Sequence, residues 1–314
     1  MNIEFAEDLK EGLSQDQKFL KSKYFYDAEG DKIFIEIMNM PEYYLTRAEY
    51  QIFEKRSGDI IDMFNVSKDI KFDLVELGSG DGTKTKMLLK ELIRQGYNFN
   101  YLPIDISEDS LQNLKADLKI EFPNLSVLTK QGDYFDVLKA IKEREDKKFV
   151  LFLGSNLGNM EDDNASDFLQ KLDGSLNAED VLLLGLDIIK PASIVLPAYD
   201  DKAGITARFN LNLLTRINRE FEANFVIDQF SHVAEYTEEE GVARSYIVSN
   251  VAQKVSIKKI DMDVEFKENE RISMEISRKY NDKILSDLIS NTGFKLVDKL
   301  MDDKEQYADY ILKK

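Results

Sequence analysis

Between residues 71 and 188, short apolar runs alternate with segments whose apolar positions recur every three or four residues. The second type of segment, such as 83–96, predicts helices. The apolar runs predict strands at 71–78, 101–107, 125–133, 148–155 and 180–188. Because these runs are apolar at nearly every position, the pattern predicts a mostly parallel sheet with helices on both faces.

The alternation stops near residue 189, where the chain becomes more aromatic and alternates as in antiparallel strands. The C-terminal stretch then predicts a helix, a strand, a turn and a final strand, which would close the sheet as an antiparallel pair. We therefore expect an α/β domain formed by 56–188 and 279–314, and a second α+β domain formed by 1–55 and 189–278.

Composition removes several classes of function. The 314 residues include no cysteine, which excludes disulfides and thiolate metal sites, and the single histidine, His232, is a poor metal site by itself, so no metal is expected. A net charge of −17 argues against nucleic acid as a partner. No apolar run is long enough to span a bilayer and no signal peptide is visible, so we expect a cytoplasmic protein without membrane contact, and by default a monomer.

A glycine-rich segment, "VELGSGDGTKT", follows the first predicted sheet strand and opens the next helix. Gly78, Gly80 and Gly82 would let the backbone approach a ligand at the helix N-terminus. A dinucleotide site would favour G-x-G-x-x-G, whereas G-x-G-x-G preceded by Glu76 resembles the first motif of class I S-adenosylmethionine (SAM) methyltransferases. Asp105 suits ribose hydroxyls in either case.

The third strand is followed by "GDY", in which Asp133 would accept the exocyclic amine of adenine and Tyr134 would cover the ring. Together with Asp105 and the closing antiparallel strand pair, this spacing favours a class I, Rossmann-like methyltransferase with a mostly parallel seven-stranded sheet.

Several segments along nearly the whole chain resemble one family, the SAM-dependent histidine Nα-methyltransferases of ergothioneine biosynthesis. The most specific are "PEYYLTRAE" and "FLGSNLGNM", and others include "IVLPAYDD", "FSHVAEY" and "MEISRKY". The resemblance implies an enzyme that transfers methyl groups from SAM to the α-amino nitrogen of free histidine, and that gives the trimethylated betaine. It assigns cofactor binding to Gly78, Gly80, Lys84, Asp105, Asp133 and Tyr134.

The same resemblance assigns the amino-acid site. Asn159 would hold the α-amino and carboxylate groups, beside Gly154, and Tyr199 would bind the carboxylate. Glu275 and Ser277 would bind the imidazole, which presents N–H donors. Tyr26, Phe34 and Tyr43 would surround the amine, where aromatic faces tolerate a quaternary cation. Tyr43 would accept the amine's hydrogen bond and pass its proton to water.

One position departs from the family. Ser245 stands where the family usually places a methionine beside the imidazole, and this opens the choice of side chain more than the choice of reaction. The same reaction on another amino acid, such as tryptophan, or on a histidine derivative therefore stays open. A non-catalytic protein that binds SAM or an amino acid, and a methyltransferase of protein or nucleic acid, are further alternatives.

Overall fold

The computed structural model describes residues 2–132, 137–139, 142, 144 and 146–314. The helices are α1 (Ile3–Leu13), α2 (Ala28–Asn39), α3 (Leu45–Phe64), α4 (Thr85–Gln95), α5 (Glu108–Glu121), α6 (Asp162–Ser175), α7 (Ala192–Tyr199), α8 (Ile205–Phe221) and α9 (Asp282–Leu288). The strands are β1 (Lys18–Phe19), β2 (Phe72–Leu77), β3 (Phe99–Asp105), β4 (Ser126–Val127), β5 (Lys130–Gln131), β6 (Lys147–Phe152), β7 (Val181–Asp187), β8 (Phe230–Thr237), β9 (Val242–Ser249), β10 (Gln253–Ile257), β11 (Met262–Phe266), β12 (Arg271–Arg278), β13 (Lys295–Met301) and β14 (Tyr307–Lys313).

The chain forms two compact units, one of residues 45–189 and 279–314 and the other of residues 1–44 and 190–278. We call them the sheet unit and the second unit. The predicted boundary at 55/56 is wrong, because α3 belongs as a whole to the sheet unit. Its buried apolar residues between Ala48 and Phe64 lie in one core cluster with residues of the sheet.

The sheet unit is built around one sheet with the strand order β13-β14-β7-β6-β2-β3-β4, and β5 pairs separately with β3. Strands β2, β3, β6 and β7 run parallel, whereas β14 is antiparallel to both β7 and β13. The expected single strand over 125–133 is wrong, since this segment contains the two short strands β4 and β5. The helix that the alternation predicts between the third and fourth strands lies mostly outside the described residues.

Both faces of this sheet are apolar, which explains the uninterrupted apolar runs. In β2, Leu74 packs in one core cluster and Val75 and Leu77 pack in another. Each cluster adds residues from the helices on its own face: α3, α4 and α5 on one side, and α6 and α9 on the other. Because β2, β3, β6 and β7 are parallel, their carboxyl ends lie along the same edge of the sheet, where loops can bind ligands.

The second unit contains a four-stranded sheet with the order β1-β12-β9-β8 and a separate hairpin of β10 and β11. Helices α1, α2 and α8 contribute to its own hydrophobic core together with residues of β8, β9 and β12. Strands β8, β9 and β12 are antiparallel neighbours. Because β9 and β12 pair directly, the paired residues of these two strands lie opposite each other.

Candidate active site

The loop after β2 needs glycine at several positions. Gly78, Gly80 and Gly82 have φ angles of 74°, 52° and 65°, in the left-handed region that disfavours other residues. A Cβ atom on Gly82 would lie 2.7 Å from the Leu114 Cδ1 atom, so this position also lacks space. At Gly80, no heavy atom of the described chain would lie within 4 Å of such a Cβ. The loop therefore leaves its backbone open beside the N-terminus of α4, where anions bind favourably.

Asp105 is the last residue of β3 and contacts this loop. Its Oδ2 atom accepts a hydrogen bond from the Gly80 amide at 3.2 Å, and its Oδ1 atom accepts one from the Ser107 amide at 3.0 Å. Two backbone amides thus hold the half-buried carboxylate at the carboxyl edge of the sheet. The ribose contact predicted for Asp105 stays a prediction. Asp133 and Tyr134, predicted to hold the adenine, lie outside the described residues.

Glu76 lies beneath the loop, inside the sheet unit. It is 3% exposed and accepts hydrogen bonds from the Tyr101 hydroxyl and, at 2.7 Å, from the Thr85 hydroxyl. Burial raises the pKa of the Glu76 carboxyl to about 7, although both hydrogen bonds act in the opposite direction. Its partners join β2 to β3 and to the start of α4, so Glu76 stabilises the loop from below.

Lys84 immediately precedes α4 and forms an ion pair with Glu49 of α3. The Glu49 carboxylate is 1% exposed and also accepts the Gly154 amide, at 2.9 Å to Oε1. Burial opposes the charge on Lys84, but Glu49 outweighs burial and raises the pKa of the ammonium. The ion pair therefore keeps Lys84 charged beside the loop. Sequence reasoning missed Glu49, although it lies within the "TRAE" segment.

The segment after β6 forms a second tight turn at the same edge. Gly154 and Ser155 have φ angles of 78° and 58°, and Asn156–Asn159 is a 3₁₀ turn. The Ser155 hydroxyl accepts the Asp187 amide at 3.0 Å, which fixes the turn to the end of β7. Asn159 is exposed, and it does not cap α6, whose N-cap residue is Glu161. Its side chain is thus not used as the cap of α6, and its predicted contact with the main-chain end of an amino acid stays a prediction.

In the second unit, the aromatic residues predicted to surround the amine lie close together. The ring centroids of Tyr26 and Phe34 are 5.4 Å apart, and those of Phe34 and Tyr43 are 6.4 Å apart. Phe209 of α8, which sequence reasoning missed, lies 5.7 Å from Tyr26 and 5.8 Å from Phe34. These edge-on and tilted contacts join the four rings into one aromatic group.

Tyr26 is a neutral phenol in this environment. Desolvation of the hydroxyl is the largest cause of its raised pKa. The negative charge of Glu275 raises the pKa further, and Tyr43 adds a smaller effect in the same direction. Glu275 of β12 is therefore electrostatically close to the aromatic group, in the same unit. A carboxylate near these rings favours a cationic ligand.

A bulge in β12 sets the direction of the residues predicted to bind the imidazole. The register with β9 shifts between Ser273 and Glu275, so that Glu275 lies opposite Ser245 and Ser277 lies opposite Ala243. Ser277 is buried and accepts a 2.7 Å hydrogen bond from the Tyr199 hydroxyl. Tyr199, Ser245, Glu275 and Ser277 therefore belong to one layer of the second unit.

His232 of β8 supports this layer through a main-chain contact. Its Nε2 atom lies 2.8 Å from the carbonyl oxygen of Tyr199, so Nε2 carries the proton and donates. Burial lowers the pKa of the imidazole. The neutral His232 thus fixes the end of α7, from which Tyr199 reaches Ser277.

The open glycine loop, Asp105 at the next strand end and the antiparallel strand β14 define a SAM-dependent methyltransferase of class I. More particularly, the chain belongs to a family described as "Histidine-specific methyltransferase, SAM-dependent", whose sequence model matches residues 5–314. No helix in the described part of the chain is long and apolar enough to cross a membrane.

Curated relatives agree with this family. Histidine N-alpha-methyltransferase of Mycolicibacterium smegmatis is 36% identical over 87% of this chain and 83% of its own length. Ergothioneine biosynthesis protein 1 of Schizosaccharomyces pombe is 30% identical over 98% of this chain, which corresponds to 40% of the fungal protein. The L-tryptophan methyltransferase trpM of Psilocybe serbica is 28% identical over 92% of this chain and 86% of its own length.

Proposed function

We propose that this chain transfers methyl groups from SAM to the α-amino nitrogen of free L-histidine and gives the trimethylated betaine. The observation that carries the proposal is the layer of Tyr199, Ser245, Glu275 and Ser277, in which a carboxylate and buried hydroxyls are set by the β12 bulge. Such a set suits the N–H groups of an imidazole. Family membership and the histidine-specific relative support the same substrate.

The residues divide the work in this proposal. Gly78, Gly80, Lys84 and Asp105 bind the cofactor, which supplies an electrophilic methyl group on a sulfonium. Gly154 and Asn159 hold the main-chain end of the amino acid, as does Tyr199. The protein contributes orientation and electrostatics, because the transfer needs no covalent bond to the enzyme.

The α-amine must be neutral to attack, and it is largely protonated near pH 7. Tyr43 accepts the hydrogen bond of the amine and passes the proton to water. The rings of Tyr26, Phe34 and Tyr43 then surround a nitrogen that becomes more substituted and finally quaternary. A quaternary nitrogen has no N–H group left to donate a hydrogen bond. Aromatic faces attract such a cation through cation–π interactions, which need no hydrogen bond.

Mass spectrometry of the purified protein incubated with SAM and the twenty amino acids tests this proposal. We expect three methyl groups on histidine, and a loss of the product in the Glu275→Gln variant. Glu265→Gln, an exposed carboxylate of β11, is the matched control and should leave the product unchanged. Methylation of no amino acid would refute the proposal.

A second candidate is the same transfer to another amino acid, for example tryptophan. Ser245 favours it, because its side chain is smaller and more polar than the methionine expected there, and because a tryptophan methyltransferase is among the relatives. Competition between histidine and tryptophan in one reaction separates the two, since kcat/KM ratios report which side chain the site prefers.

We further propose that the chain works as a cytoplasmic monomer on small molecules only, without nucleic acid or membrane. Its net charge of −17 supports the exclusion of nucleic acid. Light scattering of the purified chain tests the monomer, and a mass of twice 36.2 kDa would refute it.

A further inference from the structure

A group of buried polar side chains lies behind the two loops of the sheet unit. Glu49 of α3, Lys84 before α4, Tyr307 and Asp309 of β14, and the backbone of Gly154 belong to it, and we call it the Glu49 cluster. Glu49 and Asp309 are 1% and 0% exposed. Acids this deeply buried are uncommon unless they are paired, so their arrangement needs a physical explanation.

Glu49 is the centre of the cluster. Its carboxylate accepts hydrogen bonds from the Lys84 ammonium and, at 2.9 Å, from the Tyr307 hydroxyl. The Gly154 amide donates to both carboxylate oxygens, at 2.9 Å and 3.1 Å. Lys84 belongs to the loop assigned to the cofactor, and Gly154 belongs to the loop assigned to the amino acid. One buried carboxylate therefore contacts both loops.

Asp309 is a second buried acid, close enough to Glu49 for the charge of Glu49 to affect it. Neither oxygen of Asp309 has a hydrogen-bond partner among the described residues. Burial and then the charge of Glu49 hold its pKa well above the usual value, so Asp309 is a neutral acid. The charge of Glu49 is thus balanced by Lys84 alone among the members of the cluster.

Gly185 of β7 makes room for these groups. A Cβ atom there would lie 2.1 Å from the Glu49 Oε1 atom, 2.8 Å from the Tyr307 hydroxyl and 3.0 Å from an Asp309 oxygen. Gly185 pairs with Asp309 in the sheet, and its neighbours in β7 are apolar. Any larger residue would displace Glu49 from the two loops.

We propose that Glu49 is a positioning residue for methyl transfer, because its carboxylate ties the cofactor lysine Lys84 to the Gly154 amide of the amino-acid loop. This rests on the proposed function. Transfer requires the methyl group and the amine to be aligned, and a misplacement of about 1 Å can cost about 100-fold in rate. A shared carboxylate would transmit occupancy of the first loop to the second.

Selective labelling makes the link measurable without turnover. With 15N-glycine and 13C-carbonyl leucine, only glycines that follow leucine give a signal, namely Gly78, Gly154, Gly158 and Gly185. The probe ligand is S-adenosylhomocysteine, the demethylated cofactor, which cannot react. In the wild type we expect its addition to shift both the Gly78 and the Gly154 signals.

In Glu49→Gln, the amide oxygen can still accept the hydrogen bonds of Gly154 and Tyr307. The amide nitrogen then faces the Lys84 ammonium, and because both groups are donors the contact with Lys84 is lost. We expect Gly78 to keep its shift and Gly154 to lose at least half of its own. An unchanged Gly154 response in this variant would overturn the proposal. If the ligand does not move Gly78 in the wild type, the cofactor assignment itself fails, and this inference fails with it.

Kinetics give a second readout. Glu49→Gln should lower kcat by about 10- to 100-fold, whereas Glu54→Gln, an exposed carboxylate of the same helix, should change it by less than about 2-fold. Should Glu49→Gln fail to fold, Tyr307→Phe and Glu49→Asp replace it. Tyr307→Phe removes one donor and should keep the Gly154 response, whereas Glu49→Asp withdraws the carboxylate and should weaken it. Equal responses in these two variants would also overturn the proposal.

Discussion

Replacing Glu76 by glutamine tests the electrostatics beneath the cofactor loop. The wild-type carboxyl has a pKa of about 7 in the folded protein, compared with an ordinary value of 4.5. Below pH 4.5 both the folded and the unfolded chain hold this proton. As the pH rises from 4.5 to 7, only the unfolded chain releases it, so the free energy of unfolding decreases across this window and is constant above it.

The size of this decrease follows from the two pKa values. Each unit between them corresponds to about 1.4 kcal/mol, so the window from 4.5 to about 7 corresponds to about 3 kcal/mol. Glutamine carries no proton to lose and removes this contribution. It can keep both contacts, because Tyr101 can donate to the amide oxygen while the Thr85 hydroxyl turns to accept from the amide nitrogen.

Thermal unfolding of the ligand-free protein between pH 4.5 and 8 measures the effect. A change of 1 kcal/mol shifts Tm by about 2–4 °C for 150–250 residues, the size range of the sheet unit. The Tm of Glu76→Gln minus that of the wild type should therefore rise by about 6–12 °C over the window. Glu54→Gln, with its exposed carboxylate, corrects for general effects of charge. A difference that stays constant with pH would refute the reasoning.

Three further predictions concern other contacts. Lys279→Met breaks a fully buried 2.7 Å ion pair with Asp187 and should lower the free energy of unfolding by about 3–5 kcal/mol in urea titrations, whereas the exposed Lys283→Met should have little effect. Asp105→Asn should raise the KM for SAM about 10-fold or more and leave the KM for histidine within about 2-fold. A double-mutant cycle of Tyr199→Phe and Ser277→Ala, read by calorimetry of histidine binding, should give a coupling of about 1 kcal/mol for their 2.7 Å hydrogen bond, and additive effects would contradict it.

The central strands could be predicted from sequence because both of their faces are buried. Leu74 and Val75 point to opposite core clusters, so the run containing them is apolar at adjacent positions. The position of Asp105 at the loop was predictable for a related reason, since parallel strands end at one edge. The domain boundary was not, because the "TRAE" helix carries charged residues and reads as part of the helical N-terminus. Only its packing on the sheet assigns it to the sheet unit.

The geometry of the second unit could not be predicted in full, because the alternation of apolar and polar residues shows neither a strand bulge nor which rings come into contact. Alternation places Glu275 and Ser277 on one face of a strand, but it does not reveal the bulge between Ser273 and Glu275 that fixes their partners in β9. Phe209 was missed for another reason. It lies at a helical position that usually means core, and it is indeed buried, yet its ring also completes the aromatic group.

The Glu49 cluster shows what signal a sequence can still contain. Glu49 and Asp309 are far apart along the chain, and acids are normally taken to be exposed. However, Asp309 interrupts a strand whose neighbouring residues are buried, and Gly185 interrupts the apolar strand that pairs with it. A small residue opposite a buried acid indicates that a third group fills the space between them. Because that group came from a helix assigned to the other domain, the pair could be noticed in the sequence but its partner could not be named.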